Sequence, residues 1–159
     1  MSRSARRAAR VVLLGPSDAV LLVSGRDPAD DGPGLFWYTP GGGLEQDEQP
    51  EEAACREARE EVGARLGHLG PVVWRRRSRF VFDGRDFFQE EVFYVVRTPH
   101  FDPVPHALTD LEVRSRMSAR WWDLDELARS GETVYPAQLV ALVRDWLDNG
   151  PPPAPLEIG

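Results

Sequence analysis

The most constraining feature of this chain of 159 residues is a spaced pattern of glycine, glutamate and arginine near its middle. At ordinary residue frequencies, seven matches at one starting position are an event of about 10⁻⁸, so coincidence is a poor explanation. The pattern therefore constrains both the local fold and the chemistry of the site it forms. It reads G-x5-E-x7-R-E-x-x-E-E-x-G, with fixed positions Gly42, Glu48, Arg56, Glu57, Glu60, Glu61 and Gly63.

The second half of the pattern predicts a helix from Pro50 to Val62. Proline suits the first helical position, and Glu51 and Glu52 follow where the helix dipole favours negative charge. Gly63 suits the position just past the end of a helix.

Three glutamates then lie on one face of that helix. Glu57, Glu60 and Glu61 stand at i, i+3 and i+4, and Arg56 lies one turn before Glu60, where it can brace the carboxylate. Like charges at these spacings cost a few tenths of a kcal/mol each, a cost that a bound cation offsets. A solvated acidic helix is the alternative, which Arg56 and the glycine loop 41–43 at a fixed distance disfavour. Hard oxygen ligands select Mg²⁺, Mn²⁺ or Ca²⁺ over the zinc that nitrogen and sulfur ligands prefer.

The flanking sequence predicts an α/β fold in which strands and helices alternate, as in a sheet covered by helices on both faces. Residues 1–150 are expected to form a single domain, followed by a loose Pro-rich tail at 151–159. The predicted strands are Arg10–Leu14, Ala19–Ser24, Leu35–Thr39, 72–74, Arg79–Phe82, Phe87–Arg97 and Met117–Trp122, and the further helices are Leu124–Ala128 and Ala137–Leu147.

Composition narrows the class of partner. A net charge of −7 argues against nucleic acid as a partner, but a metal can reverse the local sign of a site and admit a phosphorylated substrate. Cys55 is the only cysteine, which excludes an intrachain disulfide and favours a reducing, cytoplasmic location. No apolar run approaches the roughly 18–20 residues of a membrane span, so no membrane partner is expected. A homodimer is left open.

The segment from Gly42 to Ala64 resembles the Nudix box, the signature of the Nudix hydrolase superfamily. The resemblance extends more loosely to the PGGG entry and to ARWWDLDEL further along the chain. It implies a Nudix-type α/β/α sandwich with a mixed central β-sheet. It also implies a metal-dependent pyrophosphohydrolase that uses Mg²⁺ (or Mn²⁺) to cleave a small-molecule nucleoside diphosphate linked to another moiety.

The resemblance also assigns roles to single residues. It makes the three helical glutamates metal ligands, one of them doubling as the base for the attacking water. Family members often add a carboxylate from outside the box, for which Glu112 is the first choice and Glu90 and Glu91 are the alternatives. The remaining roles are a metal-ligating carbonyl for Gly41, orientation of the carboxylates for Arg56 and Glu48, and close approach of the backbone to the substrate for Gly42 and Gly43.

Substrate identity is left open by the sequence. Trp37, Tyr38 and Phe80 are candidates for stacking on a nucleobase, although aromatics at strand spacing are also typical of a core. The segment Arg79–Phe82 stands where ADP-ribose hydrolases of the family carry a proline and dinucleoside polyphosphate hydrolases a tyrosine, and it fits neither. Two other functions on the same fold are a ligand-binding sensor without hydrolysis and a diphosphate isomerase. The isomerase needs a separately placed cysteine, whereas Cys55 lies inside the box helix.

Overall fold

The computed structural model describes residues 6–26, 34–104 and 118–159. Over these ranges the chain forms nine strands in one sheet and three α-helices. The strands are β1 (Arg6–Leu14), β2 (Val20–Arg26), β3 (Leu35–Tyr38), β4 (Gly41–Gly43), β5 (Trp74–Phe82), β6 (Arg85–Arg97), β7 (Ser118–Trp122), β8 (Val134–Tyr135) and β9 (Leu156–Ile158), and the helices are α1 (Pro50–Val62), α2 (Leu124–Arg129) and α3 (Leu139–Asn149).

The sheet is mixed, as expected. Its strand order is β8-β3-β2-β1-β6-β5-β9, with β4 paired to β1 and β7 paired to β2. The pairs β1–β6, β3–β8 and β5–β9 are parallel, and the other pairs are antiparallel. The guanidinium carbon of Arg76 on β5 lies 5.9 Å from the ring centroid of Tyr135 on β8. Strands far apart in the sheet order are thus brought together, so the sheet is strongly curled.

Helices cover both faces of the sheet. Side chains alternate between the two faces of a strand, and β1 shows this directly. Val11 and Leu13 pack in one core cluster with Ala58 of α1, whereas Val12 and Leu14 pack in the other with residues of α2 and α3. All four β1 residues are fully buried. This arrangement confirms the predicted α/β/α sandwich.

The helix that carries the glutamates has the predicted bounds. Gln49 and Glu52 form a reciprocal capping box, Pro50 occupies the first turn, and Gly63 ends the helix in the left-handed conformation with φ of 75°. Alanines 53, 54 and 58 are fully buried against the sheet. Their small side chains let the helix backbone approach the strands closely.

Two features of the fold differ from expectation. Trp74, the last residue of the predicted strand 72–74, and Arg79–Phe82 belong to one strand, β5, because the polar residues between them pair in register with β6. The tail is also not loose throughout. Leu156–Ile158 pairs with the edge of β5 at 74–76, where its backbone completes hydrogen bonds that the edge strand would otherwise offer to solvent.

Candidate active site

Arg56 connects the helical glutamates to the loop before α1. Its Nε and Nη2 donate to the two carboxylate oxygens of Glu48, each at 2.9 Å, in a bidentate pair. Its Nη1 donates to Glu57 at 3.0 Å and to Glu60 at 3.3 Å. Its Nη2 also donates to the Gly43 carbonyl at 3.0 Å. Hydrogen bonds from Arg56 hold the pKa of Glu48 below its ordinary value, and Glu48 in turn raises the pKa of Arg56.

The glycine strand β4 is held between β1 and α1. Glu61, which is only 4% exposed, accepts a hydrogen bond of 2.9 Å from the Gly41 N–H. Gly41 has φ of 150°, and a Cβ there would lie 2.3 Å from the Ala9 carbonyl oxygen. A Cβ on Gly42 would lie 2.7 Å from the Glu57 carboxylate. Only glycine allows this close approach between strand and carboxylates.

The donor chemistry of this site fits a divalent cation. Glu57, Glu60 and Glu61 offer hard oxygen donors, and all three line one cavity together with the glycine strand. Within the described part of the chain, however, no three acidic, His or Cys side chains lie close enough together to form a ready ligand set. Arg56 holds Glu57 and Glu60, while the Gly41 N–H holds Glu61. Glu57 and Glu61 thus lie against the glycine strand, but the three carboxylates do not converge on one point as the sequence predicts.

A buried ion-pair network adjoins the glycine strand. Arg10 donates to Glu91 at 2.8 Å and to the Gly41 carbonyl at 3.1 Å. Glu91 also accepts hydrogen bonds from Arg76 and Ser78, each at 3.2 Å. Burial disfavours the charged form of Glu91, but the neighbouring arginines outweigh burial and hold its pKa below the ordinary value. The resemblance assigns the Gly41 carbonyl to a metal. In the structure this carbonyl already accepts one hydrogen bond, from Arg10.

The carboxylates open into a cavity of about 850 Å³, which is within the usual range for ligand pockets. Phe80 and Tyr38 line it. Trp37 does not line it. Its ring lies in the core at 5.2 Å from the ring of Trp122, nearly perpendicular to it, and only 8% of Trp37 is exposed. Trp37 is a core residue because its side chain points away from the face that carries Tyr38.

The carboxylates predicted from outside the box have different surroundings. Glu112 lies outside the described residues. Glu90 is exposed and forms an ion pair with Arg77 at 3.5 Å, without lining the cavity. Glu91 lines the cavity but is committed to Arg10 and Arg76. Sequence reasoning missed Arg10, because β1 contains two further arginines and the partner Glu91 lies 81 positions further along the chain.

A second, smaller cavity of about 370 Å³ contains the cysteine. It is lined by Cys55, Arg59, Arg65 and Leu66 among others, and it shares Arg56 with the larger cavity. The thiol of Cys55 lies 3.6 Å from the Gly67 carbonyl oxygen. Burial, assisted by Glu51, raises the pKa of the thiol. Cys55 thus lies outside the cavity that holds the carboxylates.

Comparison with known proteins identifies the family. The profile of a family described as NUDIX domain matches residues 4–143 of the chain. The chain belongs to the Nudix family. Membership confirms the resemblance carried by the box.

Two curated relatives match part of the chain. Mouse diphosphoinositol polyphosphate phosphohydrolases 3-alpha and 3-beta are each 47% identical over 64 residues. The match covers 39% of this chain and 36% of the mouse proteins, so the chain spans about a third of the length of those relatives.

Two solved Nudix structures cover more of the chain. The MutT protein of Methanosarcina mazei Go1 is 15% identical, with a TM-score of 0.63, and the match covers 93% of this chain and 96% of that one. The MutT NUDIX hydrolase of Burkholderia pseudomallei is 18% identical, with a TM-score of 0.62, over 87% and 96%. At such identities the likeness shows the shared fold. Among the described residues of this Nudix protein, no helix combines the length and apolar character needed to cross a membrane.

Proposed function

We propose that this Nudix protein is a metal-dependent pyrophosphohydrolase that cleaves a nucleoside diphosphate linked to another moiety. One observation carries the proposal. Glu57, Glu60 and Glu61 line a ligand-sized cavity together with the glycine strand, and Arg56 braces the first two of them. A carboxylate cluster in a cavity is suited to a cation, and a cation is suited to a diphosphate.

In the proposed reaction, water attacks one phosphorus of the phosphoanhydride. The new P–O bond forms as the bridging P–O bond breaks, and the leaving phosphate departs with the bridging oxygen. A cation held by the three glutamates, with Mg²⁺ or Mn²⁺ as the candidates, would polarise the phosphoryl group and lower the pKa of bound water. One of the glutamates accepts the proton of that water. Arg56 and Glu48 hold the carboxylates in place, and the glycine strand lets the backbone approach the substrate.

The names of the mouse relatives support the type of bond. They are named as phosphohydrolases of diphosphoinositol polyphosphates, whose diphosphate groups contain a phosphoanhydride. A cytoplasmic location belongs to the same proposal, and the single cysteine supports it.

The two alternative functions differ in their support. The isomerase is disfavoured because Cys55 lies outside the cavity that holds the carboxylates. The sensor would bind the same ligands through the same cavity without cleaving them, and kinetics separate it from the hydrolase.

Phosphate or nucleotide release from a panel of nucleoside diphosphate derivatives, with Mg²⁺, with Mn²⁺ and with EDTA, tests the proposal. We expect cleavage that needs the cation. Glu60→Gln or Glu61→Gln is expected to reduce kcat at least 100-fold, whereas the control Glu52→Gln on the same helix retains activity because glutamine also completes a capping box. Equal cleavage by wild type and the two box variants would contradict the assigned roles. Binding of the panel without any cleavage would favour the sensor.

A further inference from the structure

The backbone of Gly41 is held from both sides by charged side chains. Its N–H donates to the buried carboxylate of Glu61 at 2.9 Å, and its carbonyl accepts from Nη1 of Arg10 at 3.1 Å. Arg10 lies directly opposite Gly41 in the pairing of β1 with β4, so its side chain reaches the carbonyl from the neighbouring strand. A hydrogen bond from a charged donor is roughly twice as strong as one between neutral groups. The carbonyl that the resemblance assigns to a metal therefore already has a cationic partner within the chain.

Arg10 is fixed in this position by two further contacts. Its Nε donates to Glu91 at 2.8 Å, and Glu91 is only 4% exposed. Its guanidinium carbon lies 5.7 Å from the ring centroid of Tyr38. Burial disfavours the charged form of Arg10, but Glu91 and then Glu61 outweigh burial and raise the pKa of Arg10. Arg10 is therefore a positive charge held beside the Gly41 carbonyl.

Glu91 does not neutralise this positive charge fully. Arg76 also donates to Glu91, at 3.2 Å, so two arginines share one carboxylate and the trio carries a net positive charge. Among the described residues that line the whole cavity, five are arginines, Arg6 included, and five are glutamates, so the charges of the wall balance before any cation binds. Loss of Arg10 would leave one uncompensated negative charge, on the side of the wall where Glu61 lies.

We propose that Arg10 acts as a built-in cation of the metal site. Its guanidinium takes the place of a second divalent ion at the Gly41 carbonyl, so the glutamates hold one Mg²⁺ or Mn²⁺ without that carbonyl. A carbonyl oxygen has two lone pairs, and Arg10 uses only one of them. The other is closed to a divalent ion because like charges repel strongly in a site that is partly shielded from water. This inference rests on the proposed function, because that function places the cation at the glutamates.

Electron paramagnetic resonance of free Mn²⁺ counts the ions that each variant binds, without turnover. We expect one Mn²⁺ per chain for wild type and two for Arg10→Met, which removes the charge beside the carbonyl. Arg10→Gln keeps a hydrogen-bond donor without the charge, so it should also bind two, and it replaces Arg10→Met if that variant does not fold. Arg10→Lys should bind one, because an ammonium keeps the charge.

Arg76→Met is the matched control. Arg76 contacts the same carboxylate as Arg10 and its side chain is also 17% exposed, but among the described contacts it does not reach Gly41. Arg76→Met removes the same charge from the same cavity wall and should still bind one Mn²⁺. The double variant Arg10→Met/Glu61→Gln locates the gained ion, since Glu61 holds the other side of the Gly41 backbone. It should bind fewer ions than Arg10→Met.

Four results would overturn the built-in cation. They are two Mn²⁺ in wild type, one Mn²⁺ in folded Arg10→Met or Arg10→Gln, a second ion gained equally by Arg76→Met, and two ions retained in the double variant. Failure of the proposed function looks different. If wild type binds one Mn²⁺ and Arg10→Met two, but neither cleaves the panel, the built-in cation is retained and the hydrolase is not. If wild type cleaves the panel with two Mn²⁺ bound, the hydrolase is retained and the built-in cation is not.

Discussion

At the scale of single residues, Arg56 explains why the acidic helix face is stable before any cation binds. It contacts Glu48, Glu57 and Glu60 at once, so each carboxylate has a positive neighbour. The same contacts keep the carboxylates from converging. A cation that bound Glu57 and Glu60 would have to compete with Arg56 for them, whereas the bidentate pair of Arg56 with Glu48 would be kept.

Replacing this guanidinium by an ammonium tests the role of its shape. Arg56→Lys keeps the charge but cannot form the bidentate pair with Glu48. We expect kcat and the affinity for Mn²⁺ to fall by about 10–100-fold each, with little change in melting temperature, as for other residues that orient metal ligands. Electron paramagnetic resonance of free Mn²⁺ measures the affinity independently of turnover. Unchanged Mn²⁺ affinity in the variant would show that the charge alone is needed.

Substitution of two neighbouring glycines, Gly41 and Gly42, is expected to have different effects on stability and activity. A methyl group on Gly41 meets the Ala9 carbonyl, which is fixed in the sheet, and the backbone conformation there excludes other residues. Gly41→Ala should therefore cost about 3 kcal/mol of stability and lower Tm by about 10 °C. A methyl group on Gly42 meets only the end of the Glu57 side chain, which can move. Gly42→Ala should keep Tm and lose activity, and the opposite pattern in thermal melts and kinetics would contradict the arrangement of β4.

At the scale of elements, the bounds of a helix or strand are predicted best where only a few residue types suit a position. Proline, the acidic first turn and Gly63 define α1 to the residue, because caps and the helix dipole act locally. Strands β4, β8 and β9 were not predicted. A run of three glycines has no side-chain pattern, and Leu156–Ile158 becomes a strand only because the edge of β5 is available to it. Trp37 shows the same limit, since the face of a short strand depends on its register with neighbours.

The tail strand β9 is predicted to stabilise the domain. Ile158 packs on the core cluster shared with α3, and the Leu156 N–H donates to the Val73 carbonyl at 2.9 Å. Deleting residues 151–159 should leave a folded domain that is about 2 kcal/mol less stable, measured by guanidinium unfolding. Ile158→Ala should reproduce part of this loss, whereas Glu157→Ala, which changes an exposed side chain of the same strand, should not. An unchanged midpoint after the deletion would mean that the pairing contributes nothing.

At the scale of the whole molecule, one ion-pair network joins parts of the chain that are far apart in sequence. Glu91 on β6 binds Arg10 on β1 and Arg76 on β5, and Arg10 reaches the Gly41 carbonyl next to α1. The direct pairing of β6 with β1 on one side and with β5 on the other brings these groups together, so no local sequence pattern could have revealed the network. The network links the wall of the cavity to the glycine strand β4.

The network gives stability a defined pH dependence. The pKa of Glu91 is lower in the folded chain than its ordinary value of 4.5, so its charge stabilises the fold above that pH and the contribution is lost as the pH falls through the lowered pKa.

Glu91→Gln leaves Arg10 without its charged partner, and we expect a loss of about 3 kcal/mol at pH 7. In urea unfolding, the difference between wild type and Glu91→Gln should stay constant from pH 7 to about pH 5 and shrink below about pH 4. The control Glu90→Gln changes an exposed neighbour and should show no such trend. If the difference in free energy of unfolding between wild type and Glu91→Gln did not change with pH, the loss would come from packing. The charge of the carboxylate would then not be what holds β1, β5 and β6 together beside the glycine strand.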